Sequence, residues 1–134
     1  MAHFAILNGS NVVTAINVIA DADCLDSESN ESEAVGIAFC VSLWGAGTYK
    51  QTSYNNNVRK QYAEVGGVYD ATADEFVLVQ PHPSWALDSD NDWQAPISKP
   101  VGLGAWGWDE SVYDGDSATP KTLGWTLNAI TSLE

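Results

Sequence analysis

Basic side chains are scarce in this sequence. Its 134 residues hold five Lys and Arg against eighteen Asp and Glu, a formal charge of −13. A phosphate backbone or an anionic bilayer is gripped by clustered Lys and Arg, so neither nucleic acid nor a membrane surface is an expected partner. The imbalance is uneven. Residues 1–47 contain six acids and no Lys or Arg, while Lys50, Arg59 and Lys60 fall in a window without acids. Such a surface favours solubility, or suits a partner with a basic face or a high-salt setting.

Thiols, histidines and long apolar runs are also few. Cys24 and Cys40 are the two cysteines. They make neither a disulfide framework nor a metal site, which needs closely paired ligands, and two buried thiols are expected in preference to a bridge. His3 and His82 are the two histidines, and no Ser, Cys or carboxylate motif frames either, so a hydrolytic triad is not expected. No apolar stretch approaches the ~20 residues of a membrane helix. The first residues lack the basic segment and apolar run of a secretory signal, so synthesis in a cytosol is expected. The Gly-containing stretch at 101–104 has neither the spacing nor the Lys of a phosphate loop.

Aromatic residues are the abundant feature. Six Trp and five Tyr, within 45% hydrophobic residues, are enough for a real core. The most patterned stretch runs from Val68 to Trp93. Tyr69-Asp70 opens a polar turn that closes on Asp74-Glu75-Phe76. After Pro81-His82-Pro83, Trp85 to Asp88 opens a second turn that closes on Trp93. Asp, Asn and Ser bond their own backbone and tolerate turn conformations, so each half reads as a β-hairpin. The prolines between them forbid helix and remove ladder donors, leaving a stiff connector.

Upstream, His3–Leu7 and Asn11–Ile19 read as strands joined at Asn8-Gly9, a tight-turn pair. A polar, acidic loop follows. Ser29 or Asn30 is placed to cap a helix over Glu33–Trp44, with acids in its first turn and Gly45 or Gly47 ending it. Its apolar residues cover most of the circumference, so it is expected to be largely buried. Thr48–Tyr54 alternates like a half-exposed strand, Asn55–Asn57 is a turn, and Val58–Tyr62 reads as another strand. Downstream, Gln94–Gly104 has the Pro and Gly content of an extended linker. Residues 106–127 repeat the aromatic hairpin pattern, with a turn through Asp114-Gly115-Asp116-Ser117. The expected fold is mainly β with one α-helix (α+β): an N-terminal hairpin plus helix, an antiparallel sheet and aromatic-rich hairpins. The expected division is a compact domain at 1–96 and a linker plus aromatic hairpin arm at 97–134.

Few constellations suggest chemistry. Asp88, Asp90 and Asp92 resemble the opening of a calcium loop, but Trp93 stands where that loop needs Gly and Lys99 where it needs Glu. A hairpin turn is the better reading. Asp88 and Asp109 with flanking Trp would be needed for a sugar-cleaving cleft, but among eighteen acids such a pair carries little information. No catalytic, cofactor or metal residues are assigned. Trp85, Trp93, Trp106, Trp108 and Trp125 are the candidate partner-binding residues, since Trp is enriched at interface hot spots and also stacks on sugars.

Several short motifs also carry a resemblance. His3-Phe4-Ala5 with Val12-Val13-Thr14-Ala15-Ile16-Asn17-Val18-Ile19, Asp23-Cys24-Leu25-Asp26 and Glu33–Cys40 are followed by Gln51–Asn55, Arg59-Lys60 with Tyr62-Ala63, and the patterned stretch from Tyr69. In that order they resemble a small family of uncharacterised structural or accessory proteins of tailed bacteriophages, particularly marine and cyanobacterial ones. The resemblance covers roughly residues 3–96, and the segment from 97 onward departs from it. It implies a non-enzymatic protein made in the host cytoplasm and carried on the virion, as capsid decoration or tail accessory. Other virion proteins, or further copies of the chain, would be its partners. The rival expectation is a carbohydrate-binding module of a receptor-binding apparatus.

Overall fold

The computed structural model describes residues 1–102 and 104–128. Its backbone is mostly antiparallel β with one substantial helix. The contacts divide it after Val79 into two compact units, Met1–Val79 and a second beginning at Gln80. The break falls earlier than the boundary expected after residue 96.

In the first unit, β1 (Ala2–Leu7) pairs antiparallel with β2 (Val13–Ile19) and β3 (Thr48–Thr52), giving the order β2-β1-β3. The Asn8 side chain builds the turn, its Oδ1 accepting from Ser10 and Val12 N–H at 2.8 and 3.0 Å. Alternation along β1 sends side chains to two faces, and both are covered. On one face Ala2, Phe4, Ile19, Cys24, Cys40 and Tyr49 form a core beneath α1 (Glu33–Trp44). On the other, Ala5, Leu7 and Val13 pack with Ala63, Tyr69 and Phe76. Tyr69 and Phe76 come from the hairpin β4 (Val68–Asp70) and β5 (Glu75–Val77), whose turn residue Asp74 is left-handed at φ 54°. This hairpin hangs on the start of β2 through Val13 N–H to Gly67 O at 2.8 Å and Tyr69 N–H to Asn11 O at 2.9 Å. Thr52, buried at the end of β3, accepts from Ala63 N–H at 2.9 Å and so ties down the loop between β3 and β4.

Helix α1 spans the expected residues and ends at Gly45, where φ is 93°. Its cap is Ser32, whose Oγ accepts from Val35 N–H at 3.3 Å, rather than Ser29 or Asn30. The expectation of a largely buried helix is not met. Only Gly36 and Cys40 are buried, while Val41, Leu43 and Trp44 are exposed. Gly36 marks where helix and sheet touch: a Cβ there would lie 2.4 Å from the Phe4 ring. The acidic loop before α1 makes a 3₁₀ turn at Asp21–Cys24. Cys24 and Cys40 are buried free thiols, as expected, and burial pushes both above the usual thiol range. Val58–Tyr62 is not a strand, because Arg59 and Lys60 are left-handed at φ 52° and 73°.

The second unit contains two hairpins, each an isolated two-stranded sheet. β6 (Ala86–Leu87) pairs with β7 (Trp93–Gln94), and β8 (Ala105–Trp108) with β9 (Trp125–Asn128). All three aromatic-flanked hairpins expected from sequence therefore form. A one-turn helix not foreseen, α2 (Glu110–Asp114), follows β8, capped by Asp109 accepting from Ser111 and Val112 N–H. None of the described helices is long and apolar enough to cross a membrane.

Candidate functional site

The tryptophans proposed as partner-binding all lie in the second unit, and three of them pack on one another. Trp85 lies 6.0 Å from both Trp108 and Trp125, which are 5.3 Å apart, with crossed ring planes. His82 packs on Trp85 at 5.4 Å, and Tyr113 from α2 on Trp108 at 5.4 Å. Edge-to-face geometry at this separation is favourable, so the cluster serves as the unit's core. Gly124 permits it: at φ 151°, a Cβ there would come 2.4 Å from the Trp108 ring. Polar tips anchor two of the rings. Trp125 Nε1 donates to Ile97 O at 2.7 Å, and Trp108 Nε1 donates to Glu110 Oε1 at 2.9 Å. Trp93 and Trp106 are half-buried outside this trio. The Nε1 atoms of Trp85 and Trp106 are buried with no hydrogen-bond partner among the described residues.

The acids that suggested chemistry are built into turns. Asp88 Oδ1 accepts from Asp90 and Asp92 N–H at 2.8 and 3.0 Å, and its Oδ2 accepts from Gln94 at 2.9 Å. Asn91 supplies the left-handed residue at φ 62°. The Asp88–Asp92 run thus makes the hairpin turn. Asp109 caps α2, and its hydrogen bonds, first from Ser111 and then from Val112, hold its carboxyl below the usual carboxylate range. Glu110 accepts from Trp108 and from Ser84 Oγ at 2.7 Å, and these bonds lower its carboxyl likewise. The Ser84 proton is therefore directed at a carboxylate, not at His82.

In the first unit the strongest polar assembly centres on Arg59, which the sequence reading placed in a strand and assigned no role. Its guanidinium holds Glu33 of α1 with two N–H groups, Nη1 to Oε2 at 2.5 Å and Nη2 to Oε1 at 3.0 Å. It also donates to Gln51 O at 2.9 Å and to Asp74 Oδ1 at 2.7 Å. Tyr69 O–H donates to the same Asp74 oxygen at 2.5 Å, and Lys50 Nζ lies 5.2 Å from the Tyr69 ring centroid. Burial alone would raise the Glu33 carboxyl, but Arg59 and the Gln51 N–H outweigh it and hold it low. Asp74 is lowered by Tyr69 and then by Arg59, while the Tyr69 phenol is pushed up, chiefly by its bond to Asp74. One side chain thus joins helix, strand, loop and hairpin. The arrangement is a clamp. The signal available in sequence was the cation-bearing window without acids, which had to meet carboxylates from elsewhere.

The same unit leaves apolar surface uncovered at the end of α1. Gly36 and Cys40 define the stripe facing the sheet, and helical spacing carries that stripe on to Leu43 and Trp44. There it runs out of cover: Leu43 is 55% and Trp44 48% exposed. Compared with family models, curated proteins and solved structures, the chain matched none of them.

Proposed function

We propose that this chain is a non-enzymatic structural or accessory protein of a tailed-phage virion, bound to the particle exterior as capsid decoration or tail accessory. The resemblance over residues 3–96 supplies the setting. The observation that carries a binding role is the uncovered end of the α1 stripe. Burying Leu43 and Trp44 against a partner would remove from water two large side chains that the chain's own sheet does not reach, each contributing about 1–2 kcal/mol when half-exposed to start with. The partner is another virion protein, or a further copy of this chain. The charge of −13 favours one whose contact rim is basic.

The test is to locate and count the protein in purified particles, then repeat with Leu43→Asp and Trp44→Asp. Both positions are exposed, so the variants are expected to fold normally by circular dichroism yet be lost from particles. A protein absent from purified particles overturns the reading. Variants that still attach at wild-type copy number move the contact away from α1.

A further inference from the structure

Beside β1 and β3 the first unit has a cleft of about 410 Å³, lined among others by His3, Asp21, Glu31, Gln51, Tyr54 and Asn57. That volume lies within the range of small-molecule sites. Tyr54 is its conspicuous member. The residue is 76% exposed, yet its ring is held: His3 stacks on it at 6.2 Å with planes 22° apart, and Tyr62 meets both edge-on, at 5.5 Å from His3 and 6.3 Å from Tyr54. These separations are those of packed aromatic pairs, so the three rings form one cluster. Most of the Tyr54 ring surface remains open.

The cleft lining also carries planar hydrogen-bonding groups. Gln51 is fixed in place, its N–H donating to Glu33 at 2.7 Å and its Nε2 to Glu31 Oε1 at 2.8 Å. The Asn57 side chain makes no hydrogen bond with another described residue. Asp21 Oδ2 receives the Met1 amine at 2.8 Å, which leaves Oδ1 to accept, as the Glu31–Gln51 bond leaves Glu31 Oε2. No Lys or Arg lines the cleft, and the Met1 ammonium is already paired with Asp21, so with Glu31 beside it an anionic ligand would meet net like charge.

We propose that this cleft binds a neutral pyranoside, its C–H face stacked on the exposed ring of Tyr54 and its hydroxyls bonded by Gln51, Asn57 and the Asp21 and Glu31 carboxylates. A flat, preorganised aromatic ring beside side-chain amides and carboxylates matches a sugar's two surfaces, one apolar and one a row of hydroxyls. An organic cation would also welcome the acids. It would need rings set apart around it, whereas here they pack on each other. The site is distinct from the Trp residues that sequence singled out for partner or sugar binding. It also does not depend on attachment through α1.

The test is a titration of the isotopically labelled full chain with glucose, galactose, mannose, N-acetylglucosamine and their 1,4-linked disaccharides, with choline as the cationic comparison. Saturable amide shifts are expected for at least one saccharide at residues 2–3 and 51–57. Tyr54→Ala should weaken that binding by about tenfold, as loss of one stacked ring implies, while Tyr54→Phe keeps the platform and stays within about threefold. Asn57→Ala, at an exposed position, should weaken it without altering the fold. The proposal is overturned if no saccharide shifts these residues, if Tyr54→Ala binds as well as wild type, or if choline binds there in place of sugars.

Discussion

Phe4 and Phe76 are 0% exposed, in separate cores on the two faces of the three-stranded sheet of the first unit, whereas in the second unit Gly124 is the one buried residue among those described. The first unit covers both faces of a sheet, one with a helix and one with a hairpin. The second has strands of two and four residues, and such hairpins are marginal alone. Large rings compensate: each indole buries much area while keeping an exposed edge, so a cluster coheres without any ring being fully enclosed. Five of the six Trp belong to this unit, while four of the five Tyr and all three Phe belong to the first. Trp fluorescence therefore follows mainly the second unit, which lets the contrast be tested directly.

The largest expected effect is in the first unit. Phe4→Ala or Phe76→Ala should cost about 3–5 kcal/mol, by lost transfer free energy plus a cavity, as measured by denaturant melts followed through hydrogen exchange in β1. Phe39→Ala, at a half-buried position, should cost about 1–2 kcal/mol. An equal loss of Trp-reported stability in the Phe4 variant would break the comparison, by showing one cooperative unit where two are seen. Next comes Gly124→Ala, which drives a methyl into the Trp108 ring at a backbone angle that L-residues rarely adopt. It should cost about 2–4 kcal/mol, read from the Trp fluorescence transition. A neutral result would mean the indole cluster is loosely packed.

The Arg59 clamp belongs to the first unit alone, and pH probes it. Glu33 and Asp74 are both lowered in the folded chain. Their contribution is complete above the ordinary carboxylate values of 4.5 and 3.8 and disappears as pH falls through the lower folded values. Wild-type protein should therefore lose stability on acidification below about pH 4.5, and Glu33→Gln should flatten that slope. Arg59→Met should cost about 2–3 kcal/mol at neutral pH, because it leaves Glu33 partly buried without its partner. An unchanged acid profile in Glu33→Gln would remove the clamp from the account of stability.

The same contrast explains what sequence could reveal. The three hairpins were legible because each turn is made by local groups, Asp side chains bonding backbone within seven residues. The span of α1 was legible from a continuous apolar run that stops at Gly45. Its burial was not, because an apolar circumference does not say how far the sheet beneath extends; Leu43 and Trp44 lie beyond its cover. Val58–Tyr62 read as a strand, yet Arg59 is held out of that conformation by Glu33, 26 positions away in sequence. The six Trp stood out in the sequence by their number. That Trp85, Trp108 and Trp125 face one another depends on pairings no local pattern encodes. Tyr54 was unremarkable in sequence, since a single exposed ring acquires meaning only from His3 and Tyr62 beside it.

The smallest predicted effect is a difference between two substitutions inside the Trp cluster. Trp85 and Trp125 are both half-buried and lie 6.0 Å apart, so replacing either by Phe removes a similar ring area. Their N–H groups differ. That of Trp125 is bonded to Ile97 O at 2.7 Å, whereas that of Trp85 is buried with no partner among the described residues. Trp125→Phe gives up a hydrogen bond and leaves a carbonyl wanting one, but Trp85→Phe removes a donor that contributes nothing as it stands. Trp125→Phe should therefore cost about 1–2 kcal/mol more than Trp85→Phe in denaturant melts followed by the remaining Trp fluorescence. Equal costs would mean that the Trp85 N–H is satisfied in solution. The second unit would then be held by polar anchoring at each ring, and the contrast with the apolar cores of the first would narrow.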